Sequence, residues 1–496
     1  MTNRPTADAE ELQRFGYAQE LVRRLGGFSS FAIGFSVISV LTGIASTFGD
    51  ALAAGGPAGL GLGWPLVSFG TLLVGLAMAE LASAFPTAGA LYHWAALLGG
   101  PAWGWSTAML NLAGQLAIVA AIDLACAQAL AHVCGGSDRQ AYALFLLVLV
   151  VHGGLNATSV RLVAWLNDAS ASVHVVGVGV LAAWLFAKGV VHPPAYLAHV
   201  TATSTPDGNY ALGFVQSLVL GVWTFTGFDA AAHVSEETHD PGRRAPLGIL
   251  TAIGGSAIAG FALVAALTLS IRDPKVTAAA PDAALEVLRT ALGPQAGRAA
   301  MALVVLAMWF AGLSSVTSAS RMLFAFARDG GVPLAPWLRK VSGRTRTPLN
   351  ATVACVVLAL VLVFATAPLS EAVFLVVAAL ATIALYASYA LPIVLGATAR
   401  TRGRWTRRGP FNLGPAGVPL AWAAVAWTVM VALVCTLANR QATEVFAGLL
   451  AVLAALWTLH VRGRFSGPKV DLAHFERAPD HDPVGSLRLE PGSRPP

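Results

Sequence analysis

Two short stretches decide how this sequence is read: "LTGIAST" (Leu41–Thr47) and "GVWTFTGFDAAAHVSEE" (Gly221–Glu237). Each lies in an apolar run, and each carries helix-weakening residues. Gly43 follows Thr42, while Gly227 sits between Thr226 and Phe228 with Asp229 close behind. An interrupted helix at membrane depth leaves N–H and C=O groups unpaired, which is tolerated only where they face protein, water or a ligand. The plainer role of both glycines is to allow close helix packing.

The chain around these stretches is that of a helical membrane protein. Of 496 residues, 56% are hydrophobic and 11% charged, and mean hydropathy is +0.68. Soluble domains carry roughly a quarter charged residues. Apolar runs recur at twelve places, about 27–53, 64–85, 102–132, 140–155, 163–187, 211–236, 246–271, 298–327, 350–367, 371–397, 418–438 and 441–461. The interrupted stretches fall in the first and the sixth, which open two successive groups of five. Paired interruptions at matching positions in two halves point to a transporter binding site. Half-helix N-termini there present N–H donors to an anionic group such as a carboxylate.

Charge placement gives an orientation. Of 31 Lys+Arg, seven fall in alternate loops, namely Arg139, Lys188, Arg272, Lys275, Arg289, Arg298 and Arg440, and the other 24 on the opposite side. Positive charge collects on the cytoplasmic face, so both termini are expected inside a cell membrane. The net charge of +6 then needs no nucleic acid, and the basic loops are expected to meet anionic lipid headgroups. Residues 1–26 read as a cytoplasmic segment without a cleaved signal peptide, 27–461 as the membrane domain, and 462–496 as a disordered cytoplasmic tail. Cys126, Cys134, Cys355 and Cys435 form no CxxC pair, so neither a disulfide framework nor a zinc site is expected.

Several stretches carry a family resemblance: "FSVISVLTGIAST" through "GGPAGLGLGWPLV", "MAELASAFPTAGALYHWAA", "WTFTGFDAAAHVSEET" and "SVTSASRMLFAFARDGGVP". In order and spacing the chain resembles the amino acid–polyamine–organocation superfamily, most of all its amino acid/choline transporter branch. The later segments match by hydropathy alone. The resemblance implies an all-α membrane fold of twelve helices, with a five-plus-five inverted repeat (about 27–187 and 211–397), broken helices one and six, and two extra C-terminal helices. It also implies alternating access and proton-coupled uptake of amino acids or related amines.

Carried over by residue, the first unwound stretch falls on Leu41, Thr42, Gly43 and Ile44, whose N–H groups would hold a substrate carboxylate. The second falls on Phe225, Thr226 and Gly227, whose carbonyls would take the substrate ammonium. Trp223 matches an aromatic that closes over the substrate, with cation–π attraction available. Asp229 matches an acidic position linked to gating, and it also has a structural reading, accepting from N–H groups freed by the break.

Asp50 lies about two turns outward of Gly43. It reads as an attractor for cationic substrates in the outer vestibule, as a gating residue that pairs with a polar residue across the gate, or as a solvated acid near the membrane face. His174, in "WLNDASASVHVVGV", stands where some relatives carry a lysine facing the first helix. It reads either as the carrier of the coupling proton or as a neutral ring donating to a carbonyl. Asn111 and Gln115 are four apart and share a helix face, where they either line the cavity, with Asn111 a candidate substrate contact, or hydrogen-bond between helices, the commoner role; Asp123 lies further along that face. Ser314, Ser315 and Ser318 share a face of the eighth run, and Ser315 is a candidate substrate contact. Arg321 in the same run needs a partner or a water path and is expected to act structurally or in gating. Tyr386 and Tyr389 are further pocket candidates. "HVSEETHD" (His233–Asp240) superficially resembles a metal cluster, but its spacing fits no zinc motif. Glu236 or Glu237 is expected instead to pair with Arg243 or Arg328.

HExxH, GxSxG and P-loop patterns are absent, so neither an enzyme nor a bound cofactor is expected. No ring or filter sequence suggests a channel. The expected activity is proton-coupled transport of an amino acid or amine. A facilitative or exchange carrier for choline- or polyamine-like cations and a sensor that binds without transporting are the alternatives.

Overall fold

In hydrocarbon only structures that satisfy their own backbone hydrogen bonds can cross the bilayer, so the apolar runs become helices. The computed structural model describes residues 12, 13, 15, 16, 21, 23, 25–158, 160–202, 208–469 and 472. The disorder expected of the C-terminal tail falls mainly outside these residues, as does much of 1–26. Among the described residues the chain is helical, with one isolated parallel bridge between Leu25 and Thr238.

The first run forms α1 (Gly27–Ile38) and continues as α2 (Val40–Ala84). A short α3 (Leu91–Gly99) leads into α4 (Pro101–Val133), followed by α5 (Asp138–Thr158) and α6 (Val160–Lys188). The sixth run is divided into α7 (Tyr210–Ser217), α8 (Val219–Thr224), a turn, and α9 (Ala230–His233) with a 3-10 turn at Ser235–Glu237. Then come α10 (Pro241–Leu269), the short α11 (Pro274–Ala279) and α12 (Ala283–Leu292), and α13 (Pro294–Arg328). The chain ends through α14 (Ala335–Leu338), α15 (Leu349–Thr366), α16 (Val373–Thr401), α17 (Gly417–Ala438) and α18 (Arg440–Leu456).

Ten helical segments among the described residues are long and apolar enough to cross a membrane. Two differences separate this number from the twelve expected runs. The sixth run is too interrupted to count, its longest apolar piece being Tyr210–Thr224. The first and second runs count as one, because two helices meet at a kink at Gly56, inside the connection expected at 54–63, with no loop between them. Its one non-helical residue is Gly56, at φ 60° and ψ −160°. That conformation suits glycine, and Pro57 follows where a missing N–H does no harm. A Cβ on Gly56 would lie 1.4 Å from the Thr201 carbonyl oxygen.

α2 packs against α10, α7 and α8, and α4 lies between α16 and α13. Gly55 and Gly59 let α7 approach closely, since a Cβ on either would lie 2.4 Å from Ser217 Oγ. Large apolar side chains face outward around the rim, with Ile258 78% and Val361 56% exposed, as expected where lipid is the solvent. The basic run that begins at the end of α16 is partly tied down. Arg400 pairs with Glu80 and lies over the Trp405 ring.

Candidate functional site

The first break lies at Ser39, not at Leu41–Ile44. Ser39 adopts a left-handed conformation, φ 37° and ψ 77°, between α1 and α2. Its Oγ accepts from the Thr42 N–H at 3.4 Å and shares a hydrogen bond with the Thr42 hydroxyl. The Gly43 N–H donates to the Ser39 carbonyl at 2.9 Å. A serine able to cap the new helix with both side chain and carbonyl ends one helix and starts the next within a single residue. Thr42, Gly43 and Ile44 therefore form the first turn of α2 and are buried.

Gly43 serves close approach. A Cβ there would lie 2.1 Å from Thr224 Oγ1 and 2.7 Å from Thr224 Cα. Thr224 ends α8, so this contact holds the two interrupted helices together at their breaks. The second break spans Phe225–Asp229, as the sequence suggests, with Gly227 at φ 86°. The Thr226 hydroxyl donates to the Trp223 carbonyl at 2.7 Å. Phe225 packs on Trp64, with ring centroids 5.2 Å apart.

Asp229 is the centre of a buried network. Its Oδ2 accepts from Asn111 Nδ2 at 3.0 Å, Gln115 Nε2 at 3.2 Å and His233 Nε2 at 3.1 Å. Its Oδ1 accepts from the Tyr389 hydroxyl at 2.8 Å, which in turn accepts from the Gly227 N–H at 3.3 Å. Asn111 also donates to Ser388 Oγ at 3.2 Å. One carboxylate thus ties the inner half of the broken sixth helix to α4 and α16. The sequence signals the Asn111–Gln115 face and Asp229, but His233 is absent from the expected site. Its spacing of four from Asp229 on a helix is the signal that finds it.

His174 reaches the first break. Its Nε2 lies 2.7 Å from Ser39 Oγ and its Nδ1 2.8 Å from the Ser170 carbonyl oxygen. Nδ1 donates, Nε2 accepts, and a neutral ring is satisfied on both sides. Ser315 donates to the carbonyl of Ala311 in its own helix at 2.9 Å. A separate buried pair unites Asp123 of α4 with His152 of α5 at 3.0 Å. Gly312 of α13 leaves room for it, since a Cβ there would lie 1.8 Å from Asp123 Oδ1.

The two ends of the path differ. On the Asp50 side lie two cavities of about 200 and 240 Å³, both lined by Asp50. The first is also lined by Ser46, Gln128, His132 and Asp282, and the second by Thr47, Gln216 and Trp223. The Trp223 indole donates to Ser46 Oγ at 3.3 Å. The opposite end is sealed by buried ion pairs. Arg321 Nε lies 2.7 Å from Glu237 Oε1, and Arg328 Nη2 lies 2.8 Å from Glu236 Oε1. Tyr92 and His93 both donate to Asp329, at 3.0 and 3.1 Å. Arg321 and Glu236 so find the partners that the sequence required of them. Among the described residues no three His, Cys, Asp or Glu are placed to hold a metal ion.

Two broken helices meeting between an open end and a sealed one are the architecture of a membrane transporter rather than an enzyme. The chain belongs to the amino acid permease family, whose model matches residues 25–457. It is 34% identical to the Amino-acid permease BAT1 of Arabidopsis thaliana, over 92% of this chain and 95% of that protein. It is 33% identical to the Amino-acid permease BAT1 homolog of Oryza sativa, over 94% and 98%. It is 28% identical to the GABA-specific permease of Saccharomyces cerevisiae, over 88% of this chain and 79% of that protein.

Proposed function

We propose that this permease is a secondary active carrier that takes up an amino acid or related amine with protons by alternating access. One observation carries the reading: the breaks at Ser39 and Phe225–Asp229 are held side by side through Gly43 and Thr224, between open cavities and a sealed end. The arrangement corresponds to a carrier open outward and shut inward. In this reading the molecule has twelve spans arranged as two inverted groups of five plus two, with both termini cytoplasmic. Half-helix N–H groups at the start of α2 that Ser39 does not engage receive the substrate carboxylate. Carbonyls at Phe225–Gly227 receive its ammonium, and Trp223 closes over it.

Asp50 extends the path outward and favours a cationic end. The substrate named for the yeast relative, GABA, carries its ammonium far from its carboxylate, and such a molecule suits a path with an acid two turns beyond the break. The purified protein in proteoliposomes tests this reading. Concentrative uptake should appear for one or more of 4-aminobutyrate, choline, putrescine, ethanolamine and ordinary amino acids, and it should rise when the outside is made acid. Absence of accumulation for the whole panel overturns it. Exchange without accumulation indicates an exchange carrier.

A further inference from the structure

We infer that His233 and Asp229 together are the binding site of the coupling proton, an assignment that rests on the proton-coupled reading above. Hydrogen-bond polarity carries it. His233 Nδ1 faces the Ala88 carbonyl oxygen at 3.2 Å, and Nε2 faces Asp229 Oδ2 at 3.1 Å. Both facing atoms are acceptors. A neutral imidazole has one N–H and satisfies only one of them. The other groups on the carboxylate, Asn111, Gln115 and Tyr389, all donate to it. The carboxylate is therefore ionised, and the additional proton sits on the His233 ring.

The site is buried, with side chains 1% and 0% exposed. An ionised carboxylate alone at this depth is expensive, whereas a carboxylate with an imidazolium is neutral overall. Charge on the neighbouring elements lies in ion pairs or at helix ends, and α3 brings His93, which pairs with Asp329. α1 carries no ionisable residue. α4 contributes the uncharged Asn111 and Gln115, and α16 contributes Tyr389. Arg321 and Arg328 of α13 are engaged by Glu237 and Glu236. α10 brings Arg243 and Arg244 in its first turn. His174, by contrast, is satisfied as a neutral ring.

The proton also has a mechanical effect. The loop residue Ala88 is gripped at both ends: its carbonyl accepts from His233, and its N–H donates to Glu236 Oε1 at 3.2 Å. When the sealed end opens, the proton on Nδ1 passes to water there, and the ring keeps the Nε2–H that donates to Asp229. The lone pair left on Nδ1 then faces the Ala88 carbonyl oxygen, the contact becomes repulsive, and the inner half of the sixth helix loosens from the loop. Reprotonation from the other side restores the grip.

The test uses the full-length protein in proteoliposomes containing a pH indicator dye. With His233→Gln, substrate entry should no longer carry protons and accumulation driven by a pH gradient should be lost, while exchange of internal for external substrate persists. Nitrogen NMR of the labelled histidines gives a readout independent of transport. The signal lost in His233→Gln should be that of a doubly protonated ring at neutral pH. In Asp229→Asn, the second variant, the same ring should become neutral. If wild-type uptake ignores a pH gradient, the proton-coupled reading itself fails. If wild-type uptake follows the gradient and His233→Gln follows it equally, or if the ring is neutral in the wild type, the assignment of the proton to this pair is overturned.

Discussion

The hydroxyl of Ser39 lies 2.7 Å from Nε2 of His174, so a histidine in α6 holds the residue at which the first helix breaks. The same hydroxyl oxygen caps α2 through Thr42. Ser39→Ala loses both interactions and should destabilise the protein by about 1 kcal/mol, seen as a lower Tm in detergent. His174→Gln should weaken uptake yet leave its response to a pH gradient intact. Loss of that response in His174→Gln would return the coupling role to this histidine.

Gly43 should tolerate no side chain. A Cβ would lie 2.6 Å from Thr224 Cβ and 2.7 Å from its Cα. Truncating Thr224 therefore cannot make enough room. Gly43→Ala should cost about 1–3 kcal/mol of stability as overpacking does, and it should remove transport. The double variant with Thr224→Ala should remain defective. Normal uptake by Gly43→Ala would show that the helices can separate there without consequence.

Asp50 is exposed and lines both cavities. Asp50→Asn should weaken apparent affinity for cationic amines by roughly threefold to tenfold, the size of a partly screened interaction of about 1 kcal/mol. Net-neutral amino acids should be much less affected, and Tm should hardly move. Competition uptake assays with both substrate types measure the difference. Equal losses would mark Asp50 as a structural contact at the gate.

Asp282 lines the first of these cavities and caps α12 by accepting from the Leu285 N–H at 2.9 Å. Burial raises its carboxyl above the ordinary carboxylate range, offset in part by that bond and by His132 nearby. A carboxyl raised by folding contributes stability below its unfolded pKa, and the contribution is lost as pH rises through the folded one. Asp282→Asn keeps the cap without the charge. Its Tm should match the wild type at acid pH and lie slightly above it near neutrality, as thermal unfolding across a pH series would show.

Arg321 and Glu237 are 1% and 3% exposed. Glu237→Gln leaves the guanidinium buried without its carboxylate and should cost about 3–5 kcal/mol. The double variant Arg321→Met with Glu237→Gln should recover much of the loss. Thermal unfolding of the three proteins checks this. A single variant as stable as the wild type would mean the pair contributes little to closing this end.

Hydropathy and charge made the helical segments and the two interrupted stretches legible, because apolar length and helix-weakening residues are local properties. The second break was readable from Gly227, which needs its positive φ. The first was displaced by two to five residues, because Gly43 looks like a breaker while Ser39 does not. Its left-handed conformation goes with a side chain that accepts from the Thr42 N–H and donates to His174 Nε2, and the latter lies on a distant helix. Asp229 stood out as an acid in an apolar run. That its proton partner is His233 depends on Ala88 presenting a carbonyl from another element, and no local pattern carries that. The loopless kink at Gly56 was hidden because Gly55, Gly56 and Pro57 read as a loop.

The kink at Gly56 has a mechanical consequence. The two helices within Val40–Ala84 meet there with no loop between them to absorb a movement. Movement of the first span at Ser39 should therefore be felt by the second, whose far end is held by the Glu80–Arg400 pair. The joint itself should tolerate no side chain, because the carbonyl of Thr201 occupies the place of a Gly56 Cβ.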